Sequence, residues 1–176
     1  MALEIERRFL VCGEAWKAHV RWSAALRQGY LVSGATGPTL RVRSDGEGSA
    51  WLTLKFPAAG IARQEFEYAI PPADAEALLL QCPEALEKNR HGLDLPGGDW
   101  VLDVFEGGNA PLRIAEVELE QADQAVVIPP WCAVEISGDG RFSNAALARH
   151  PFARWSAEER APWLQAMGLP AASGAS

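Results

Sequence analysis

The sequence offers little for a disulfide framework, a membrane segment or a basic docking surface. Only three cysteines and three histidines occur among its 176 residues. Cys12, Cys82 and Cys132 stand far apart, with no CxxC and no Cys/His spacing, which argues against a zinc module or a disulfide-stapled fold. They read as small hydrophobes in a reducing compartment. His19, His91 and His150 are scattered and offer no catalytic dyad. No apolar run approaches the ~20 residues that a spanning helix needs. The opening MALEIERRF carries charge where a signal peptide needs an apolar stretch, so the expected location is the cytoplasm, without a membrane partner. Lys and Arg total 16 against 23 Asp and Glu, a net charge of -7 with no basic block, and nucleic acid is therefore not an expected partner. A small anion is not excluded, because a local cluster of bases can hold phosphate inside an acidic protein. Internal repeats and linkers are also missing.

What is present is a composition of 48% apolar and 22% charged residues, which suits one globular domain with a sizeable core. Period-two alternation dominates, the mark of strands with unlike faces. It runs through Leu3 to Val11, Thr39 to Arg43, Trp51 to Lys55, Arg63 to Ile70, Trp100 to Phe105, Ile114 to Glu120 and Ala133 to Ser137, with Lys88 to His91 as one more. About eight strands separated by turn-rich sequence suggest a mainly β, antiparallel sheet that closes, since closure removes exposed edges. Flanking helices are expected over Pro72 to Gln81 and over Ser156 to Met167, the latter opened by Ser156 and Glu159 in capping-box spacing and ended at Gly168. Shorter ones are expected over Glu14 to Val20 and Ser143 to His150. Residues 1–155 form the main unit; residues 156–176 are read as a helix and frayed tail of the same domain.

The charges are sorted along these strands. Glu4 and Glu6, Glu116 and Glu118, Arg41 and Arg43, and Lys88 and Arg90 each sit two apart and point the same way. Paired carboxylates on neighbouring strands suit a hard cation such as Mg²⁺ or Mn²⁺. Paired bases supply the forked, charge-assisted hydrogen bonds that phosphate oxygens accept. Periodicity does not say which face is inside: a barrel with its charges enclosed and a sandwich with its charges in water remain equally open. The tryptophans leave the same choice, between a base-stacking platform and ordinary packing.

The opening Glu4-Ile5-Glu6-Arg7-Arg8-Phe9 resembles the ExExK signature of CYTH domains, the triphosphate tunnel metalloenzymes. The resemblance continues in order through Gln28-Gly29-Tyr30-Leu31, Leu40-Arg41-Val42-Arg43, Leu54-Lys55 and Glu65-Phe66-Glu67-Tyr68. It runs on through Glu87-Lys88-Asn89-Arg90-His91, Asp103-Val104-Phe105, Ala115-Glu116-Val117-Glu118-Leu119, Glu135-Ile136 and Phe142-Ser143-Asn144. It is closest to the short bacterial members and implies an eight-stranded antiparallel closed β-barrel, a tunnel with the charges inside. Glu4, Glu6, Asp103, Glu116 and Glu118 match the positions that hold divalent metal, Mg²⁺ or Mn²⁺. Arg8, Arg41, Arg43, Lys55, Lys88 and Arg90 match the positions that bind the triphosphate. Glu65 and Glu67 match partners of those bases. Glu4, Glu6, Arg8, Lys88 and Tyr30 are the catalytic set implied, with Tyr30 and Lys88 resembling a pair that favours inorganic tripolyphosphate.

The implied activity is metal-dependent hydrolysis of tripolyphosphate to pyrophosphate and phosphate by a monomer or homodimer. Adenylate cyclisation, thiamine or nucleoside triphosphate hydrolysis, and polyphosphate binding without turnover are the alternatives. One position departs from the signature: its lysine is Arg8, which stays protonated and cannot accept a proton.

Overall fold

A computed structural model describes residues 2–33, 37–57 and 62–170. Nine strands follow one another: β1 (Ala2–Val11), β2 (Val20–Ser33), β3 (Thr39–Ser44), β4 (Ala50–Pro57), β5 (Ala62–Ala69), β6 (Glu84–Leu93), β7 (Asp99–Phe105), β8 (Arg113–Glu118) and β9 (Cys132–Glu135). The helices are α1 (Pro72–Leu79), α2 (Asn144–Arg149) and α3 (Ala157–Ala166), with short 3-10 turns between elements. Among the described residues no helix is long and apolar enough to cross a membrane.

The strands form one antiparallel sheet in the order β5-β4-β3-β2-β6-β7-β8-β1-β9. Nine strands replace the expected eight, and the outermost strands, β5 and β9, do not pair, so the sheet is not closed end on end. Instead Ala2 to Ile5 of β1 pair with Ala62 to Glu65 of β5, while Glu6 to Leu10 pair with β8. The added strand is β2, whose 14 residues bridge β3 and β6. Its alternation is blurred because Ala24 and Ala25 are too small to mark a face and Gly29 marks none. Gly29 has a packing reason: a Cβ there would lie 2.7 Å from the Cys82 side chain, just beyond α1.

Side chains at even positions of β1, β2 and β6 share one face with odd positions of β3, β4, β5 and β7, because the ladders pair them directly. That face carries the sorted charges and its centre is buried: Asp103 is 0% exposed, Lys88 2%, and Glu116, Arg8 and Arg41 at most 7%, while Glu67 and Glu118 are exposed at its rim. The alternative of a sandwich with its charges in water is thereby excluded. Outward residues Ile5, Phe9, Trp100 and Val117 pack with Trp16 and Trp131 instead.

One end of the charged face turns apolar. Leu10, Leu86, Phe105 and Ile114 lie in line with the charged residues of their own strands, Tyr30 lies in line with Gln28 on the same face, and all pack against Phe142, Leu147, Phe152, Trp155 and Leu164. The C-terminal helices therefore seal that end with a hydrophobic plug. α3 is held by the expected capping box: the Ser156 hydroxyl accepts from the Glu159 N–H and the Glu159 carboxylate from the Ser156 N–H. Gly168 ends it at φ 71°, the left-handed conformation that favours glycine. Leu147→Ala, which removes a fully buried plug side chain, is expected to lower stability by about 2–5 kcal/mol. Urea denaturation checks this; a change below about 1 kcal/mol would mean that the plug does not carry the fold.

Candidate active site

Cross-strand register builds the site in rows. Across β3, β4 and β5, Arg41 faces Thr53 and Thr53 faces Glu67; one step along, Lys55 faces Glu65. Arg41 Nη2 donates to Thr53 Oγ1 at 3.0 Å and lies 3.3 Å from Glu67 Oε2, to which Arg43 Nη2 also donates at 3.2 Å. Thr53 Oγ1 donates to the same carboxylate oxygen at 2.9 Å. Lys55 Nζ sits 2.8 Å from Glu65 and 2.6 Å from Glu4, which joins this half of the site to β1.

The other half comes from β6, β7, β8 and β1. Arg90 faces Asp103 in the ladder and forks onto both of its oxygens at 2.8 Å, while its Nη2 also reaches Glu116 at 2.8 Å. Lys88 Nζ donates to Asp103 Oδ2 at 2.6 Å and to Asn144 Oδ1 at 3.1 Å. Arg8 faces Glu116 in the β1–β8 ladder. Its Nε donates to Glu116 at 3.0 Å and its Nη1 to the carbonyl of Phe142 at 3.0 Å. Such rows of opposite charge are the sheet form of charge pairing, and their burial makes each counter-ion obligatory.

The carboxylates divide into two groups. Asp103 and Glu116 are buried, which alone would raise their pKa values, but Arg90 with Lys88 or Arg8 holds both below the ordinary range. Glu65 is held low by Lys55 against its own burial. Glu4, Glu6 and Glu118 move the other way. Burial raises Glu4, only partly offset by Lys55, and Glu6 and Glu65 add to the rise. Burial and Glu116 raise Glu6, and burial with Asp99 raises Glu118.

Glu6 and Glu118 are direct ladder partners, which sets their two carboxylates on the same face of β1 and β8. This all-oxygen donor set suits a hard divalent cation in its chemistry. Among the described residues, however, no three carboxylate, imidazole or thiol groups are gathered into a preassembled metal cage.

Among the bases, burial beside Arg90 pushes Lys88 down to about 8, and burial beside Arg41 lowers Arg43 to about 10. Burial works against the charge of Arg8 too, but Glu116, Glu6 and Asp103 more than offset it. Among the described residues, three guanidinium donors of this face, Arg8 Nη2, Arg41 Nε and Arg43 Nε, are buried with no hydrogen-bond acceptor.

All the expected basic residues thus come to one face, together with Glu4, Glu6, Asp103 and Glu116; Glu118 lies at its exposed rim. Tyr30 and Lys88 share the face but are not hydrogen-bonded to each other: the Tyr30 hydroxyl accepts from Gln28 Nε2 at 2.8 Å. Thr53, Gln28, Asn144 and the Phe142 carbonyl are members that the sequence reading did not single out. Thr53 had a signal in its spacing of two from Lys55, and Gln28, Phe142 and Asn144 stand in segments that carry the family resemblance, without a role of their own there.

A family model described as the CYTH domain matches residues 2–144. An inorganic triphosphatase from Acetivibrio thermocellus is 35% identical over 154 residues, covering 86% of this chain and 97% of the relative. An inorganic triphosphatase from Nitrosomonas europaea is 39% identical over 150 residues, covering 82% and 96%. The crystal structure of the inorganic triphosphatase NE1496 superposes with a TM-score of 0.61 at 37% identity, over 84% of this chain and 95% of that one. A protein from Hippeastrum, described as a putative adenylyl cyclase with dominant triphosphatase activity, shares the fold at 17% identity and a TM-score of 0.55, over 67% of this chain and 80% of that one.

Because Asp103 is the shared counter-ion of Lys88 and Arg90, Asp103→Asn is expected to destabilise the protein by about 3–5 kcal/mol. Adding Lys88→Met should recover part of that loss. Urea denaturation of the single and double variants measures it, and strictly additive losses would mean that the charges are not coupled.

Proposed function

The chain belongs to the CYTH domain family, and on that premise we propose that it is a metal-dependent triphosphatase that hydrolyses inorganic tripolyphosphate to pyrophosphate and phosphate. The observation that carries the reading is the set of buried guanidinium N–H groups on Arg8, Arg41 and Arg43, on one face, without acceptors among the described residues. A buried donor left unpaired costs about 1–3 kcal/mol, more when charged, and a polyanion with several phosphoryl oxygens is the ligand that satisfies several at once.

The sheet then works as a tunnel. The β1–β5 ladder supports this by bringing Glu4 against Lys55 from the far side of the strand order. Residues 156–170 belong to the same domain in this reading, supported by Leu164 and Met167 within the plug cluster, and the tail expected over 171–176 lies outside the described residues.

Arg41, Arg43 and Lys55 on one side and Arg8, Lys88 and Arg90 on the other clamp the phosphoryl oxygens. Their carboxylate partners fix each base before substrate arrives, so little reorganisation is left for the reacting state. Charge developing on the bridging oxygen as the terminal P–O bond breaks is met by these oriented donors. Glu4, Glu6 and Glu118 would hold the divalent cation, with Asp103 and Glu116 acting here mainly on the bases. When bound, that cation polarises phosphoryl oxygens as a Lewis acid and neutralises their charge. Arg8 serves as a clamp, and the carboxylates of Glu4 and Glu6 orient the attacking water. Inorganic substrate is favoured over a nucleotide because Trp51, on the charged face opposite Arg43, already has that guanidinium 5.1 Å over its ring.

The test is incubation with tripolyphosphate, ATP and thiamine triphosphate, each with Mg²⁺, Mn²⁺ or EDTA, followed by identification of all phosphorus products. Metal-dependent release of orthophosphate, strongest on tripolyphosphate, is expected. Cyclic AMP with pyrophosphate and no orthophosphate would overturn the assignment. The double variant Glu6→Ala/Glu116→Ala should lose metal-dependent turnover, and an active one would sink the scheme.

A further inference from the structure

We propose that Asn144 is a positioning residue for Lys88, fixing the direction in which that ammonium offers its last hydrogen bond to substrate; the proposal rests on the triphosphatase reading above. An ammonium has three N–H donors and no acceptor. On Lys88 one is taken by Asp103 Oδ2 at 2.6 Å and another by Asn144 Oδ1 at 3.1 Å. At a tetrahedral nitrogen, two fixed N–H directions leave the third no rotational freedom. Among the described residues the third N–H has no protein acceptor, and Phe105, with its ring centre 5.5 Å from Nζ, contributes only a π face. Without Asn144 the ammonium would keep one anchor and rotate about it.

The segment that carries Asn144 is itself held rigidly. Ser143 caps α2, its hydroxyl accepting from the Ala146 N–H at 3.1 Å, so Asn144 opens the helix in a set conformation. Phe142, fully buried in the plug, presents its carbonyl to Arg8. Three consecutive residues thus link the plug to two bases from different strands. The chemistry at position 144 is also specific. Because an ammonium only donates, the amide must turn its oxygen inward. Being neutral, it anchors Lys88 without adding a negative charge beside a polyanionic substrate. A carboxylate would anchor as well but repel the substrate.

This separates two variants. Asn144→Ala should lower kcat on tripolyphosphate about tenfold, with a smaller change in KM, because the other bases still bind substrate while Lys88 loses its aim. Asn144→Asp should keep kcat within a fewfold but raise KM about tenfold by repulsion. Asp is well tolerated in a first helical turn, so its thermal midpoint should hold. Wild-type kcat and KM in both variants, within about twofold, would overturn the proposal, as would equal losses in both that follow a fall in thermal midpoint. Calorimetric binding of tripolyphosphate with Mg²⁺ gives a readout that does not need turnover. If the wild type binds but does not hydrolyse, the triphosphatase reading fails, and unchanged affinity in Asn144→Asp would then overturn this proposal separately. A wild type that neither binds nor hydrolyses tripolyphosphate sinks both.

Discussion

The structure depends on giving a counter-charge to a cluster of charged side chains held wholly or partly out of water, with Arg8, Arg41, Lys88, Asp103 and Glu116 fully inside. Removing an isolated ion from water costs several kcal/mol even after relaxation, so each buried charge needs a partner at hydrogen-bonding distance. Antiparallel register provides it. Arg90 faces Asp103, Arg8 faces Glu116 and Lys55 faces Glu65 because the ladders place their Cα atoms opposite each other. A slip by one residue in any of these strands would turn its charges outward and its apolar residues inward, so pairing and hydrophobic patterning select the same register.

That network is deliberately incomplete at two places, and they differ in sign. On the basic side, buried guanidinium donors of Arg8, Arg41 and Arg43 have no acceptor among the described residues. On the acidic side, Glu6 stands opposite Glu118, and burial raises the pKa values of both. In the function proposed above, a polyanion would meet the first and a divalent cation the second. Asp103 and Glu116, by contrast, are saturated by bases, which makes them the frame on which the clamp is mounted.

The plug gives this frame a floor. Leu10, Tyr30, Leu86 and Phe105 extend the charged rows into an apolar end, and the C-terminal helices pack there. Through Phe142 and Asn144 that packing reaches Arg8 and Lys88. The C-terminal segment thereby contributes to the electrostatics of the site, beyond covering the core.

How much of this was legible in the sequence follows from what each signal can carry. Alternation of period two marks a strand and says which residues share a face. It therefore located eight of the nine strands, paired Glu4 with Glu6 and Arg41 with Arg43, and the capping box located α3. It failed for β2, where alanines on both faces and Gly29 erase the contrast. Alternation is symmetric between the two faces, so only the tertiary structure decided that the charged one is inside. The same holds for partners. Lys88 and Asn144, or Arg8 and the Phe142 carbonyl, meet across long stretches of chain, and a backbone carbonyl has no residue type to betray it. By itself the sequence determined eight of the strands, the charges that share a face on each, and the family likeness. The fold decided which charges are neutralised and which are left for a ligand, because that depends on distances between residues remote in the chain.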